Sequence, residues 1–295
     1  MSDYPISVVV PSLRGWPIMQ SYLPEIARQA REIGGQVIVA DGSGLPFPPE
    51  MKAAPVVWLR MPGAAPHTLR QAGYRRARAP IVAMTEDHCL AAPDWLASMI
   101  AAHEADPDAA VIFGQVDNGS TEHRIDWAVY FVGYGPWAPP MSPVGRSTPG
   151  HANMLWQRSA LNRLPATGDR VLEFRYLAAL REVGERIGAS AGPRVTHYQC
   201  DDMPTTVSLM YNNGRAIAGL RRSRMDALDW VRALAPTLVA GYRTARTLAG
   251  VARKPALRGQ AIRSLPLIAL LHQSHTIGES LGYALGPGRS FLHLH

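Results

Sequence analysis

Three side chains that could do chemistry follow directly after an apolar run. Residues 81–85 are typical of a buried strand, and Glu86, Asp87 and His88 stand at its carboxyl end. In an open α/β sheet, this edge is where ligands bind. Two carboxylates and an imidazole are suited to a divalent cation, and that cation would in turn bind a diphosphate. The alternative is that the three residues only form a turn before the helix that begins near Pro93.

The elements that must position this run alternate between strands and helices. Strands are predicted at residues 6–10, 37–40, 56–59, 81–85, 110–114 and 194–197. Helices are predicted at residues 17–33, 67–77 and 169–188, with one more after Pro93. Residues 117–150 are expected to be an irregular loop of the kind that covers a site. The alternation predicts an α/β fold with a mostly parallel sheet.

The composition fits a globular chain of one or two domains. Of the 295 residues, 47% are hydrophobic, which is enough to bury a full core. The two cysteines, Cys89 and Cys200, do not form a disulfide framework, and this indicates a reducing environment. The N-terminus lacks the basic and then apolar segments of a signal peptide. We therefore expect a cytoplasmic protein.

The positive charge is concentrated near the C-terminus. The formal net charge is +7, and residues 215–263 carry eleven basic residues against two acids. We therefore predict an α/β domain at residues 1–214 and a basic, amphipathic helical extension at residues 215–295. The extension is too polar to span a membrane. It lies on an anionic surface, as on the inner face of the cell membrane, or packs on the domain with its arginines in water, and these two interpretations are compatible. No nucleic-acid partner is expected.

Several segments, in this order, resemble the family-2 glycosyltransferases. They are residues 7–12 (SVVVPS), 37–43 (VIVADGS), 70–73 (RQAG), 79–88 (APIVAMTEDH) and 93–95 (PDW). The resemblance extends from about residue 5 to residue 200. It implies a GT-A fold of the inverting, bacterial type. That fold is a Rossmann-like, mostly parallel central sheet flanked by helices, and here a C-terminal helical extension follows it.

The resemblance implies a binding site for a nucleotide-sugar donor. Asp41 matches the aspartate that reads the nucleobase, and Arg70 is placed to meet base or phosphate. Backbone groups around Pro11 and Ser12 would hold the nucleoside, and His151 would contact the donor phosphate. The alternatives are that the Asp-Gly-Ser segment at Asp41 is a plain turn and that Arg70 is a surface arginine.

The resemblance also implies a metal site, but the motif departs from the family. The acids of the family's Asp-x-Asp motif fall on Glu86 and His88, with Asp87 between them. We predict Asp87, His88 and His197 as metal ligands, with Glu86 and Asp87 among the donor-binding residues. The cation is Mn²⁺ or Mg²⁺, although histidine suits Mg²⁺ poorly. For His197, which matches a histidine late in the family, the alternative is a buried core residue.

An inverting transfer needs a base that deprotonates the acceptor hydroxyl. The family places an acid at a helix start after the acceptor loop, and Glu173 matches it, so Glu173 is the predicted catalytic residue. Asp169 competes for this role, and the alternative for Glu173 is a favourable charge in the first helical turn. Four aromatic residues of the preceding loop would either stack on sugars or pack in the core: Trp127, Tyr130, Tyr134 and Trp137.

Together these features predict a metal-dependent glycosyltransferase of hexosyltransferase type (EC 2.4). It would move a sugar from a UDP- or GDP-sugar to a hydroxyl of a glycan, lipid-linked or small-molecule acceptor, with inversion. One alternative is a non-catalytic relative that binds nucleotide-sugar or membrane. The other is a nucleotidyltransferase, but that enzyme needs a glycine-rich basic loop after the first strand, where the chain has only Arg14 and Gly15.

Overall fold

A computed structural model describes residues 4–52, 54–141, 152–163, 173–199 and 201–293. Within it the chain forms two compact units. Unit 1 contains Met1–Gly119 and Pro136–Tyr198, and unit 2 contains Ser120–Gly135 and Gln199–His295. The predicted domain boundary after residue 214 stays a prediction, and that position lies within a helix of unit 2.

Unit 1 is built on one sheet of eight strands among the described residues. The strand order across the sheet is β3-β2-β1-β4-β7-β6-β8-β5. The strands are β1 (Ser7–Ser12), β2 (Gln36–Asp41), β3 (Val56–Arg60), β4 (Ile81–Thr85), β5 (Cys89–Ala91), β6 (Ala109–Asn118), β7 (Asn153–Gln157) and β8 (Arg186–His197).

Most strands of the sheet run in one direction. β1, β2, β3 and β4 are mutually parallel, and β8 is parallel to β6. β7 runs antiparallel between β4 and β6, so β6 and β8 point the same way as β4. The carboxyl ends of β1, β2, β4 and β8 therefore lie along one edge. This confirms the predicted mostly parallel α/β sheet.

The helices of the described chain flank this sheet or build unit 2. Those of unit 2 are α5 and α8 to α12. In chain order they are α1 (Trp16–Met19), α2 (Leu23–Ile33), α3 (Pro66–Arg76), α4 (Trp95–Ala105), α5 (Arg124–Tyr134), α6 (Arg158–Arg163), α7 (Glu173–Glu182), α8 (Met203–Arg221), α9 (Ala227–Leu234), α10 (Pro236–Ala252), α11 (Arg258–Arg263) and α12 (Leu265–Leu285).

Several predicted elements differ from the structure. The helix predicted at residues 17–33 is divided into α1 and α2, and the strand predicted at residues 194–197 is the end of the longer β8. The segment 117–150, predicted as irregular, contains α5, which begins with a capping box between His123 and Asp126. The helix predicted to reach residue 188 ends at Glu182, because Gly184 adopts a φ of 76° and β8 begins at Arg186. The glycine- and proline-rich composition around α5 does not predict a helix. The sequence after Glu182 is compatible with a helix, so the end of α7 was predicted too late.

Helix α3 lies on the sheet through a glycine. A Cβ added at Gly73 would be 2.3 Å from Cγ1 of Val9 in β1. Val9 is completely buried and β-branched, so it has little freedom to give way. Gly73 therefore sets the distance between α3 and β1, and α3 carries Arg70.

Unit 2 is helical, and its helices enclose polar side chains. α8 and α12 cross so closely that a Cβ at Gly278 would be 2.1 Å from the carbonyl oxygen of Tyr211. Between α10 and α12, Arg243 Nη2 donates to Glu279 Oε1 at 3.0 Å. Burial by itself would raise the pKa of Glu279, but the neighbouring His275 and Arg243 lower that pKa to about 2. The inner faces of these helices are thus fixed by charged contacts.

The predicted C-terminal helical extension is confirmed by α8 to α12. Of the helices that the structure describes, not one has the length and apolar character needed to cross a membrane.

The contact at Gly73 gives a first prediction. Gly73→Ala should destabilise the protein by about 1–3 kcal/mol, because the new methyl group overlaps a buried valine. Thermal unfolding measures the change. Gly241→Ala in α10 is the matched control: its Cβ meets open space, so helix propensity alone should stabilise the chain by about 1 kcal/mol. Equal effects of the two variants would contradict this packing.

Candidate active site

The chemistry-bearing residues gather at the carboxyl edge of the sheet. Glu86 follows β4, and His197 is the last residue of β8. The short strand β5 pairs antiparallel with β8, opposing Cys89 to His197, and Tyr198 N donates to the carbonyl of His88 at 3.1 Å. This pairing brings together two histidines that are 109 residues apart in sequence.

Glu86, His88 and His197 form a compact cluster. Nε2 of His88 lies 2.9 Å from Nε2 of His197, and Oε2 of Glu86 lies 3.7 Å from each of these nitrogens. The donor atoms all lie within 4.8 Å of one another. His197 is buried, whereas Glu86 and His88 are partly exposed, so solvent reaches one side of the cluster.

Asp87 points away from this cluster and orients one of its members. Its Oδ1 lies 2.7 Å from Nδ1 of His88, and its Oδ2 accepts a 2.7 Å hydrogen bond from the hydroxyl of Ser12 at the end of β1. The Ser12 oxygen in turn accepts from the backbone N–H of Gly15 at 2.8 Å. The contact with Asp87 places a proton on Nδ1 of His88 and turns Nε2 of the ring towards the cluster.

The surroundings of the two histidines shift their pKa values in opposite directions. Burial alone would lower the pKa of His88, but the hydrogen bond to Asp87 and the charges of Glu86 and Asp87 raise it above the ordinary value. Burial, and then the charge on His88, lower the pKa of His197 to about 3. Burial would raise the pKa of Asp87, yet the contacts with His88 and Ser12 hold it low. Neutral His197 is therefore a ready electron-pair donor.

One carboxylate oxygen and two imidazole nitrogens are a set of ligands that transition cations accept. A six-coordinate ion with bonds of about 2.1 Å has neighbouring ligand atoms about 3 Å apart. The separations of 2.9 to 3.7 Å in the cluster agree with this requirement after small rotations of the side chains. The residues present therefore fit a divalent cation.

Asp41, the predicted base-reading residue, ends β2 beside the end of β1. Its register partner is Ser12, and its side chain is buried. Oδ1 accepts from the backbone N–H of Ser43 at 2.8 Å, and Oδ2 accepts from the indole of Trp58 at 3.1 Å. These contacts fix the carboxylate and leave each oxygen one further lone pair. Trp58, at the neighbouring strand, was not singled out from the sequence.

The other predicted site residues that the structure describes lie on β1, α3 and α7. Pro11 and Ser12 are the last two residues of β1, and Arg70 is buried in α3 rather than on the surface. Glu173 is the first residue of α7. His151 and Asp169 lie outside the described residues. The assignments of Glu173 and His151 stay predictions.

The aromatic residues of the segment before residue 141 have packing roles where they are buried. Trp137 is buried and lies 6.0 Å from Phe113 between ring centroids. Tyr130 is buried in α5, and Trp127 stacks on Phe131 of the same helix at 5.7 Å. For Tyr130 and Trp137, burial favours packing over sugar stacking.

Comparison with known proteins identifies the chain as a glycosyltransferase with a GT-A fold. The sequence profile of the family "Glycosyl transferase family 2" matches residues 7–164, which is more than half of the chain. The chain belongs to this family and is a glycosyltransferase, not the nucleotidyltransferase that was the lesser alternative. A search of curated protein sequences finds no match.

Solved structures confirm the fold at low sequence identity. A mannosyltransferase from Pyrobaculum calidifontis, in complex with GDP-Man and Mn²⁺, has a TM-score of 0.58 at 17% identity, covering 95% of this chain and 87% of its own. S. aureus TarS residues 1–349, in complex with UDP-GlcNAc, has a TM-score of 0.51 at 12% identity, covering 95% and 92%. At these identities the likeness concerns the fold alone.

The different environments of the two histidines can be measured directly. In EDTA-treated protein, His88 should keep its proton to a pH above the ordinary histidine value, whereas His197 should stay neutral until about pH 3. Because the folded-state pKa of His197 lies below its unfolded value of 6.5, the stability that it contributes is lost as the pH falls from 6.5 towards 3. ¹⁵N-resolved imidazole NMR, assigned with His88→Gln and His197→Gln, follows both rings. Two rings that titrate together near 6.5 would contradict the geometry.

Proposed function

We propose that this glycosyltransferase moves a sugar from a nucleotide-sugar to an acceptor hydroxyl with inversion and depends on a divalent cation. The cation is held by Glu86, His88 and His197, and Glu173 is the base. The observation that carries the proposal is the cluster of one carboxylate and two imidazoles at the carboxyl edge of the sheet. Three ligands at this edge have the chemistry that a diphosphate-binding cation requires.

Two residues take roles in this proposal that differ from those predicted from the sequence. Glu86 becomes a ligand, because its Oε2 is equidistant from the two imidazole nitrogens. Asp87 becomes a positioning residue, because both of its oxygens are engaged with Ser12 and His88. A carboxylate behind a ligating histidine fixes its tautomer and raises its basicity. When bound, the cation would offset the negative charge of the leaving diphosphate.

The donor is proposed to be a UDP- or GDP-sugar. The two structural neighbours described above were solved with GDP-Man and with UDP-GlcNAc, so the fold accommodates both nucleotides. Asp41 would accept from the nucleobase through its remaining lone pairs, and Arg70 would meet base or phosphate. Pro11, Ser12 and His151 complete the proposed donor site.

Glu173 is proposed to take the proton of the acceptor hydroxyl. The acceptor oxygen would then form a bond to the anomeric carbon as the bond to the nucleoside diphosphate breaks on the opposite face. This direct displacement inverts the configuration of the sugar. Glu173 is the first residue of α7. The acceptor is proposed to be a hydroxyl of a glycan, a lipid-linked molecule or a small molecule.

The metal assignment predicts a ligand-specific thermal shift. GDP or UDP with Mn²⁺ should raise the melting temperature, whereas either nucleotide with EDTA should give a much smaller shift. Mg²⁺ should be less effective than Mn²⁺, because two of the three ligands are imidazoles. A panel in which EDTA changes nothing would contradict the proposed role of the cation.

Variants assign the effect to the cluster. His197→Gln should weaken Mn²⁺ binding by roughly 100-fold or more, and Asp87→Asn by about 10–100-fold. Mn²⁺ titration followed by electron paramagnetic resonance measures both. His103→Gln, a partly exposed histidine of α4 in the same unit, is the control and should bind Mn²⁺ normally. Unchanged affinity in His197→Gln would remove that residue from the site.

The proposed base predicts a loss of turnover without a loss of donor binding. Glu173→Gln should lower the rate of nucleoside diphosphate release from the bound donor, with water as acceptor, by about 10²–10⁴-fold. Glu182→Gln, an exposed glutamate of the same helix, is the control. A loss in Asp169→Asn with full activity in Glu173→Gln would transfer the role to Asp169. A wild-type chain that binds donor but never turns it over would support the non-catalytic alternative.

A further inference from the structure

Two consecutive helices of unit 2 expose large apolar side chains. Trp230 of α9 is 55% exposed, Leu234 is 77% exposed, and Leu238 and Tyr242 of α10 are 76% and 66% exposed. Only Ala235 separates the two helices. Single exposed apolar residues are ordinary on a protein surface, but a run of this size marks an interaction surface. We call these four residues the α9–α10 face.

Buried polar contacts on the other sides of α9 and α10 fix the direction in which this face points. In α9, Asp229 is buried and accepts hydrogen bonds from Arg232 and from the hydroxyl of Tyr283 in α12. In α10, Arg243 turns inward to Glu279 of α12. The apolar residues are therefore held outward by buried polar contacts, and turning them inward would leave charged groups without partners.

Positive charge continues the α9–α10 face along α10. Arg246 follows Tyr242 by four residues and Arg253 follows Arg246 by seven, which is the spacing of one helix side, and both are exposed. Acidic residues of the same described segment do not balance them. Within residues 215–263 the two acids are Asp229, which is buried, and Asp226, which caps α9. The partner of this surface must accept apolar side chains and supply negative charge.

We propose that the α9–α10 face binds the interface of an anionic lipid bilayer, with Trp230, Leu234, Leu238 and Tyr242 inserted between headgroups and Arg246 and Arg253 on the lipid phosphates. A helix with apolar residues on one side and arginines beside them lies in the plane of the interface. Tryptophan and tyrosine are the residues that prefer this depth. A second copy of the chain is the weaker occupant, because a symmetric contact would oppose arginines to arginines.

This surface is separate from the proposed chemistry, because its residues belong to neither the metal cluster nor the proposed donor site. It gives the helical extension a defined partner, an anionic lipid surface, which was one of the two interpretations of the sequence. Its arginines are not simply solvated.

Vesicle binding by the full-length chain tests the proposal. The partition coefficient is measured by flotation with phosphatidylcholine vesicles and with vesicles containing roughly one third phosphatidylglycerol. The wild-type chain should bind the anionic vesicles at low salt and lose most of this binding at about 1 M salt, where charges are screened within about 3 Å. Binding should be weak on pure phosphatidylcholine.

Two double variants separate the apolar and the charged contributions. L234S/L238S should lower the partition coefficient roughly tenfold or more, because two aliphatic side chains no longer leave water. R246Q/R253Q should lower it about 25-fold, since each arginine near an anionic surface contributes a factor of about five. All four positions are exposed, and an unchanged circular dichroism spectrum and melting temperature show that the variants fold.

The control variants carry substitutions of the same kind on unit 1. Val183→Ser removes a side chain that is 71% exposed, and R31Q/R76Q removes two exposed arginines, so both should bind as the wild type does. No binding of the wild type to anionic vesicles would overturn the proposal, and so would equal losses in the control variants. A concentration-dependent dimer in sedimentation, abolished by L234S/L238S and unaffected by vesicles, would assign the face to a second copy instead.

The failure of this proposal and the failure of the proposed function are distinguishable. Thermal shifts with nucleotide and Mn²⁺ report on the donor site, whereas flotation reports on the α9–α10 face. A chain that binds donor but not anionic vesicles overturns only the membrane surface. A chain that binds vesicles but never nucleotide overturns only the proposed donor site.

Discussion

The site depends on the pairing of β5 with β8. This three-residue strand opposes Cys89 to His197, and the backbone of Tyr198 reaches the carbonyl of His88. Without that pairing, the turn after β4 would have no fixed relation to the end of β8, and the two imidazole nitrogens would not lie 2.9 Å apart. The ladder hydrogen bonds of a strand thus hold two histidines from distant parts of the sequence at a spacing that suits a cation.

A second constraint acts through Asp87. The carboxylate connects Ser12 at the end of β1 to His88 after β4, so two parallel strands share one buried charge. Asp87 gains enough from these contacts to stay ionised despite its burial. Burial alone would lower the pKa of His88, but the hydrogen bond to Asp87 and the charges of Glu86 and Asp87 raise it, whereas burial first, and then the charge on His88, lower the pKa of His197. The asymmetry between the histidines therefore arises from the burial of His197 together with the contact of His88 with Asp87.

The sequence predicted the fold well because hydrophobic periodicity and turn residues report directly on strands and helices. Strands β1, β2, β3 and β4 carry apolar runs, and family segments include β1, β2 and β4. It predicted less of the region around α5, where glycine, proline and aromatic residues obscure a helix that is defined by its capping box. The length of β8 was also hidden, since its exposed polar stretch lacks an apolar pattern.

The candidate site, like the fold, was predictable where it depends on local sequence and not where it depends on long-range contacts. Local sequence placed Glu86, Asp87 and His88 together, but it could not assign which of them face His197, because that depends on the path of a turn. The contact of Asp87 with Ser12 spans 75 residues, and the contact of Trp58 with Asp41 joins neighbouring strands. Such long-range contacts have no periodic signal. The exposed face of α9 and α10 was likewise visible in sequence only as basic, apolar composition.

Counting the nitrogen ligands of bound Mn²⁺ shows whether the two histidines hold the cation. Pulsed electron paramagnetic resonance of the Mn²⁺-loaded protein detects ¹⁴N nuclei in direct contact with the ion. If Glu86, His88 and His197 hold the cation, the spectrum should show coupling to two imidazole nitrogens, and His197→Gln should leave one. Bound Mn²⁺ without nitrogen coupling, or with coupling unchanged in both histidine variants, would contradict this account of the site.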